Sequence, residues 1–218
     1  MRGGCLSFWD EPRGRLDDLI LLRHPMKHSL HSPWRRALET YIDAKDNTKP
    51  ARIHEAFAPD AVLTFSLATP NIAFPARSVG AEAIARTLVS DFGARYSRCR
   101  TYYLCEADAL VARDRVIEAL PWLVVMREAA AGALRIGHGT YRWTFDANDL
   151  APRVSQFHIH IARMDVIDDP DGARLARLQE GLSYPWLAPG DLAARYGALA
   201  GEDPGSFAFA REFARPVR

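Results

Sequence analysis

Two imidazoles on one side of a short strand are the clearest chemical signal in this sequence. His158 and His160 stand within Arg153–Ile167, RVSQFHIHIARMDVI, where Phe157, Ile159 and Ile161 alternate with Gln156, His158 and His160. Period-two alternation marks a strand with two unlike faces, and it sets the two rings about 6.8 Å apart along one of them. Imidazole titrates near neutrality and suits proton transfer, so His158 and His160 are candidate acid–base groups. A His-x-His pair on a strand can also present two nitrogens to one metal ion, with His138 as a third. Asp165 has the wrong parity to share that face without a bulge, so no metal is assigned and any chemistry is expected to be cofactor-free. The third reading is a polar outer sheet face at a contact between two copies.

A hairpin extends this pattern. If the loop runs from Asp146 to Pro152, pairing Phe145 with Arg153 sets His138 opposite His160 and Thr140 opposite His158. One face then carries His138, Thr140, Arg142, Gln156, His158 and His160, and the other carries Tyr141, Trp143, Phe145, Phe157, Ile159 and Ile161. Should the apolar face line a cavity, Tyr141 and Trp143 become walls with a polar handle each. The first helix would add Tyr41. The strand Val116–Met126 would add Glu118 together with Trp122, or neither, by parity. Glu118 stands among Val116, Leu120, Trp122 and Val124, and a carboxylate buried on so apolar a face has a raised pKa suited to proton transfer. Its alternative is an exposed glutamate near a strand start. The catalytic candidates are therefore His158, His160, Glu118 and His138, and the ligand-binding candidates Tyr41, Trp122, Tyr141 and Trp143.

These residues need elements to hold them. With 218 residues, 48% apolar and 25% charged, the chain has material for one domain with a sizeable core. Its 28 basic and 27 acidic residues nearly cancel, which argues against nucleic acid or an anionic membrane as partner. No apolar run approaches the roughly 20 residues of a membrane span. The N-terminus has no signal-peptide pattern, because Asp10 and Glu11 interrupt it. Cys5, Cys99 and Cys105 are scattered, without disulfide or zinc spacing; Cys99 and Cys105 are expected as buried thiols, in a cytoplasmic protein.

Residues 1–31 mix Gly, Pro, Arg and Asp and are expected to form a flexible arm, with a short apolar patch at Leu19–Leu22 and a second possible start at Met26. Ser32 and Pro33 are the N-cap and first position of a helix whose stripe is Trp34, Ala37, Leu38, Tyr41, Ile42 and Lys45. Asp46, four residues after Ile42, could look into a cone mouth, but a helix-end aspartate near Lys49 is expected on the surface. A short helix spans Ala51–Phe57, a turn falls at Ala58–Asp60, and Val62–Leu67 is β-rich. Gly80 leads into a third helix carrying Ile84, Ala85, Leu88 and Phe92. Strands then cover Arg100–Cys105, Val116–Met126, Leu134–Phe145 and Arg153–Ile167. Helices followed by antiparallel strands give an α+β fold with helices on one side of a sheet. Past Asp168 a helix is expected at Ala173–Glu180 and loose structure beyond it.

This order resembles the nuclear transport factor 2-like superfamily, in its SnoaL-like branch. The first helix, the run His54–Val62 (HEAFAPDAV), the Gly80–Ile84 helix opening (GAEAI) and the strand meander carry the resemblance, over roughly residues 33–168. It implies a cystatin-like cone, a curved antiparallel sheet wrapped over N-terminal helices, with an internal pocket and a homodimer. The domains are then an arm at 1–31, the cone at 32–168 and a partly helical C-terminal extension at 169–218. The expected function is binding of a small, largely apolar organic molecule in that pocket, with acid–base chemistry of dehydratase, isomerase or cyclase type. The alternative is a non-catalytic ligand-binding or homodimeric assembly domain.

Overall fold

The computed structural model of the protein describes residues 33–148 and 150–217. The expected arm, the Leu19–Leu22 patch, Met26, Cys5 and the Ser32 cap lie outside the described residues. Helix α1 (Pro33–Asp46) opens the fold and buries Ala37, Leu38, Tyr41, Ile42 and Lys45 of the stripe that its spacing predicts, and Ala44 besides. A 3-10 turn (Pro50–Arg52) leads into α2 (Ile53–Ala56), and β1 (Phe57–Leu67) starts at Phe57. The expected Ala58–Asp60 turn is thus part of the strand, where a register shift between Phe57 and Val62 absorbs Pro59. Strand β2 (Arg77–Val79) follows, then α3 (Ala81–Ala85), a π-helical turn (Arg86–Ser90) and α4 (Asp91–Arg95). Gly80 makes this entry with φ +88°, a backbone conformation that L side chains rarely adopt.

Strands β3 (Tyr96–Tyr103), β4 (Val116–Glu128), β5 (Leu134–Phe145) and β6 (Val154–Ile167) complete a six-stranded sheet in the order β2-β1-β6-β5-β4-β3. The fold is α+β, with a curved sheet and helices on its inner side. Its pairings are antiparallel except that β1 runs parallel to β6. Register shifts in β1, β3, β4 and the β5–β6 pair bend the strands, which is how a flat ladder becomes a cone wall.

The bulge in β4 decides which side chains face inward. Ala119 sits at φ 46°, between Ile117 and Leu120 in the ladder with β5. The extra residue brings Ile117, Leu120, Trp122, Val124 and Met126 all to the inner core and turns Glu118 out. The hairpin register is Thr140 opposite His160 and Arg142 opposite His158, two residues from the expected pairing. An even slip preserves the faces. His138 now faces Arg163 rather than His160.

Both faces of the sheet are packed. The inner face closes on α1 and the α3–α4 segment through Tyr41, Leu88, Trp143 and Phe157. The outer face of β3, β4 and β5 presents Tyr102, Leu123, Val125, Leu134 and Ile136, and the C-terminal segment covers it. That segment comprises α5 (Ala173–Gln179), α6 (Pro189–Glu202), α7 (Pro204–Phe207) and a 3-10 turn (Ala208–Phe213). Loose structure beyond Glu180 was the wrong expectation. Leu192, Tyr196, Leu199, Phe207 and Phe213 are spaced on one side of successive turns and are buried against the sheet. Among the described residues no helix is long and apolar enough to cross a membrane.

Candidate functional site

The histidine face is the outer one. His158 Nδ1 lies 2.8 Å from Thr64 Oγ1 and its Nε2 3.0 Å from Ser66 Oγ, while His160 Nδ1 lies 2.8 Å from the same Ser66 oxygen. Thr64 and Ser66 are their direct neighbours on β1. His138 packs its ring 4.9 Å from that of Phe213, and its buried Nδ1 has no hydrogen-bond partner among the described residues. Burial lowers the pKa of His138, with Arg163 beside it adding to the effect. Burial, then His160 and Arg142, lower that of His158. Glu118 pairs with Arg142 at 2.9 Å, both largely exposed. The structure therefore places His138, His158, His160 and Glu118 away from the cone interior, and the expectation of converging acid–base groups is corrected. Parity carries the histidines outward, and the Ala119 bulge carries Glu118.

A cavity lies against the inner face and is half open to solvent; the space in it and in front of it is about 390 Å³. Tyr41, Trp122 and Tyr141 line it, as do Phe65, Phe74, Leu88, Phe92, Ile159, Ile161 and Met164. Trp143, the fourth binding candidate, sits deeper: it is fully buried and stacks on Phe157 at 3.7 Å between ring centroids. Two glycines on β5 shape the wall. A Cβ on Gly139 would stand 1.9 Å from the His160 carbonyl oxygen, and one on Gly137 would stand 2.5 Å from Met164 Cε. Both positions are therefore closed to any side chain without rearrangement.

The polar end of the cavity comes from the last turn of α1. Tyr41 and Lys45 stand four residues apart and so share the inward face. Lys45 Nζ donates to Asp46 Oδ1 at 2.5 Å and to Cys99 Sγ at 3.3 Å, and it lies 4.7 Å from the Phe92 ring centroid. Asp46 is buried too, its side chain 2% exposed. It also accepts from the Thr101 backbone N–H at 2.6 Å, the Thr101 hydroxyl at 3.1 Å and the Tyr184 hydroxyl at 3.0 Å. Burial alone would pull the Lys45 pKa down, but the adjacent Asp46 carboxylate reverses this and holds it above the ordinary lysine value. The two side chains form a buried pair. Burial and the same carboxylate push the Cys99 thiol up to about 12. Burial also raises Tyr41 and Tyr141, which stay neutral phenols.

Lys45, Asp46, Cys99, Thr101 and Tyr184 were not among the site candidates. One signal was legible: Lys45 falls in phase with the apolar stripe of α1. Asp46 was expected on the surface and is buried instead, because β3 and Tyr184 close over the helix end.

No protein-family model and no curated protein matches this chain. Solved structures with a similar chain path include a nuclear transport factor 2-like superfamily protein from Salmonella enterica serovar Typhimurium, with TM-score 0.42 and 14% identity, over 64% of this chain and 92% of that one. A hexachlorocyclohexane dehydrochlorinase (LinA, Type2) gives TM-score 0.45 and 11% identity, over 61% and 84%. A ketosteroid isomerase-like protein from Erwinia carotovora gives 0.44 and 8%, over 62% and 98%. At these values the likeness concerns the path of the chain, and no residue role follows from it.

Proposed function

We propose that the protein binds a small, largely apolar organic molecule in the inner cavity, as a binding domain rather than an acid–base enzyme. The observation that carries this is the lining itself: aliphatic and aromatic walls, with polar groups confined to Tyr41, Lys45, Thr101, Trp122 and Tyr141. No histidine, aspartate, glutamate or cysteine lines the cavity among the described residues. The nearest carboxylate, Asp46, already accepts from Lys45, Thr101 and Tyr184. The thiol of Cys99, at about 12, is not ionised near neutrality.

Toluene serves as a probe of this reading. In methyl-resolved NMR it should shift Leu88, Ile159, Ile161 and Met164 and leave Leu175 and Leu199 in the outer core unmoved. Ile161→Trp fills the space and should abolish the effect. Shifts spread evenly over both cores would remove the proposal.

A further inference from the structure

We propose that Ser66, on the outer face of the sheet, is an activated nucleophile that takes the acyl group of a small activated ester, with the His158 imidazole as its base. The site is separate from the cavity, and the proposal does not rest on the binding reading above.

The starting observation is a chain of polar side chains across two neighbouring strands. β1 and β6 run parallel, and their register sets Thr64 beside His158 and Ser66 beside His160. All four side chains point outward, since Leu63, Ile159 and Ile161, which alternate with them, belong to the inner core. His158 Nδ1 lies 2.8 Å from Thr64 Oγ1 in its own row, and its Nε2 lies 3.0 Å from Ser66 Oγ in the next. His160 Nδ1 lies 2.8 Å from the same Ser66 oxygen. These four residues are only partly buried, so water could have served each of them. Burial does not force the contacts.

The Ser66 hydroxyl has one proton and stands between two imidazole nitrogens. If His158 Nδ1–H donates to Thr64, Nε2 accepts from Ser66, and Ser66 accepts from His160 Nδ1–H. With the reverse tautomers the same chain runs the other way, and His160 accepts. In both, the Ser66 proton is aimed at a ring lone pair. A hydroxyl within about 2.6–3.2 Å of a base, with that base oriented by a third group, is the arrangement that activates a nucleophile. His158 meets both conditions, with Ser66 at Nε2 and Thr64 at Nδ1 as its positioning residue. Burial, then His160 and Arg142, hold its pKa below the free value, so near neutrality the ring is uncharged and able to take a proton.

The reaction is an acyl transfer. Ser66 Oγ adds to the ester carbonyl carbon as its proton passes to His158 Nε2. The bond to the leaving oxygen then breaks, and that oxygen takes the proton from the imidazolium. Water repeats the sequence on the acyl-serine, so ester and water give acid and alcohol. Amide cleavage relies on preorganised donors in a water-excluded site. This face is open to water, which restricts the substrate to esters with good leaving groups, such as phenyl esters.

The test treats the full chain with a fluorophosphonate, whose phosphorus bonds to a serine oxygen as hydrogen fluoride leaves, and locates the label by mass spectrometry. The label is expected on Ser66 in the folded chain and not in the chain unfolded in urea. Ser66→Ala should abolish it, and His158→Gln should slow it about 100-fold, the lower end of what a positioned base contributes. Given 4-nitrophenyl acetate, the unaltered protein should release nitrophenolate faster than either variant by a similar factor. Should His158→Gln not fold, the contrast between the folded and unfolded unaltered chain decides alone. Labelling elsewhere or not at all, a rate at Ser66 that survives unfolding or the loss of His158, or equal nitrophenolate release by all three chains overturns the proposal.

Discussion

The two faces of one sheet are packed by different parts of the chain and to different ends. On the inner face, helices that precede the strands surround aromatic rings and a buried ion pair, and a cavity is left between them. On the outer face of β3–β5, helices that follow the strands supply leucine, tyrosine and phenylalanine side chains to a second core. Close packing of that kind leaves little for a ligand to gain. The outer face of β1 and β6 is a third case. It carries Thr64, Ser66, His158 and His160, partly exposed, and both ring nitrogens of His158 and Nδ1 of His160 bond to Thr64 or Ser66. The difference teaches where to look for function. A ligand-binding site needs space and unspent hydrogen bonds, and His158 spends both ring nitrogens on Thr64 and Ser66 while His160 spends one on Ser66.

The comparison breaks first if the outer core is dispensable. A chain ending at Asp168 would expose Tyr102, Leu123, Val125, Leu134 and Ile136 together. We expect it to lose cooperative unfolding, as seen by circular dichroism during a thermal scan. Phe213→Ala tests the same core with one side chain and should cost about 3–5 kcal/mol in urea denaturation. A shortened chain that melts like the full one would make the C-terminal segment an accessory.

A comparable effect is expected inside the cone, from charge rather than volume. Lys45→Met leaves the Asp46 carboxylate buried without its counter-charge, although Thr101 and Tyr184 still donate to it. Breaking one side of a buried pair costs about 3–5 kcal/mol. Lys45→Met combined with Asp46→Asn should be less destabilising than Lys45→Met alone, because no charge is then stranded. A double-mutant cycle with no coupling between positions 45 and 46 would show the pair to be solvated instead.

How much of this could be read beforehand follows the same division. Period-two alternation placed Tyr141, Phe157, Ile159 and Ile161 on one face and the histidines on the other, and that separation survives a register two residues away. Helical spacing gave α1 and its buried stripe. Glu118 could not be placed, because a single bulged residue at Ala119 reverses parity and nothing in the sequence marks it. Asp46 was read as surface for a related reason. Its partners, Thr101 and Tyr184, lie 55 and 138 residues away, and only the fold brings them together. The helices beyond Glu180 were missed because Ala, Gly and Arg dilute their apolar stripe.

A weaker effect concerns the bare half of the outer face. The homodimer that the resemblance implies would need an open sheet face, and α5–α7 occupy the outer face of β3–β5. If two copies meet on the sheet, they must meet on β1 and β6. Light scattering should then give a dimer, and Ser66→Arg should give a monomer whose melting temperature changes by only a few degrees. A dimer untouched by Ser66→Arg would place the contact elsewhere.

The smallest effect is the response of the outer face to acid. His138 and His158 both have pKa values below that of free imidazole, about 6.5, because burial disfavours their charged forms. The unfolded chain therefore takes up these protons at a higher pH than the folded one does. Their contribution to stability is intact above about pH 6.5 and is lost as pH falls through the folded-state values. His138, packed beside Phe213 and Arg163, should contribute more of this loss than His158, which solvent reaches more freely. Urea unfolding at pH 7.5 and 5.5 measures it for the unaltered protein, His138→Phe and His158→Gln. His138→Phe should shrink the difference between the two pH values more than His158→Gln does, and carboxylates common to all three chains cancel. Imidazole NMR titrations check the cause directly. A midpoint for either ring at or above the free value would mean that its surroundings favour the charged form, and the assigned burial of that half of the face would be wrong.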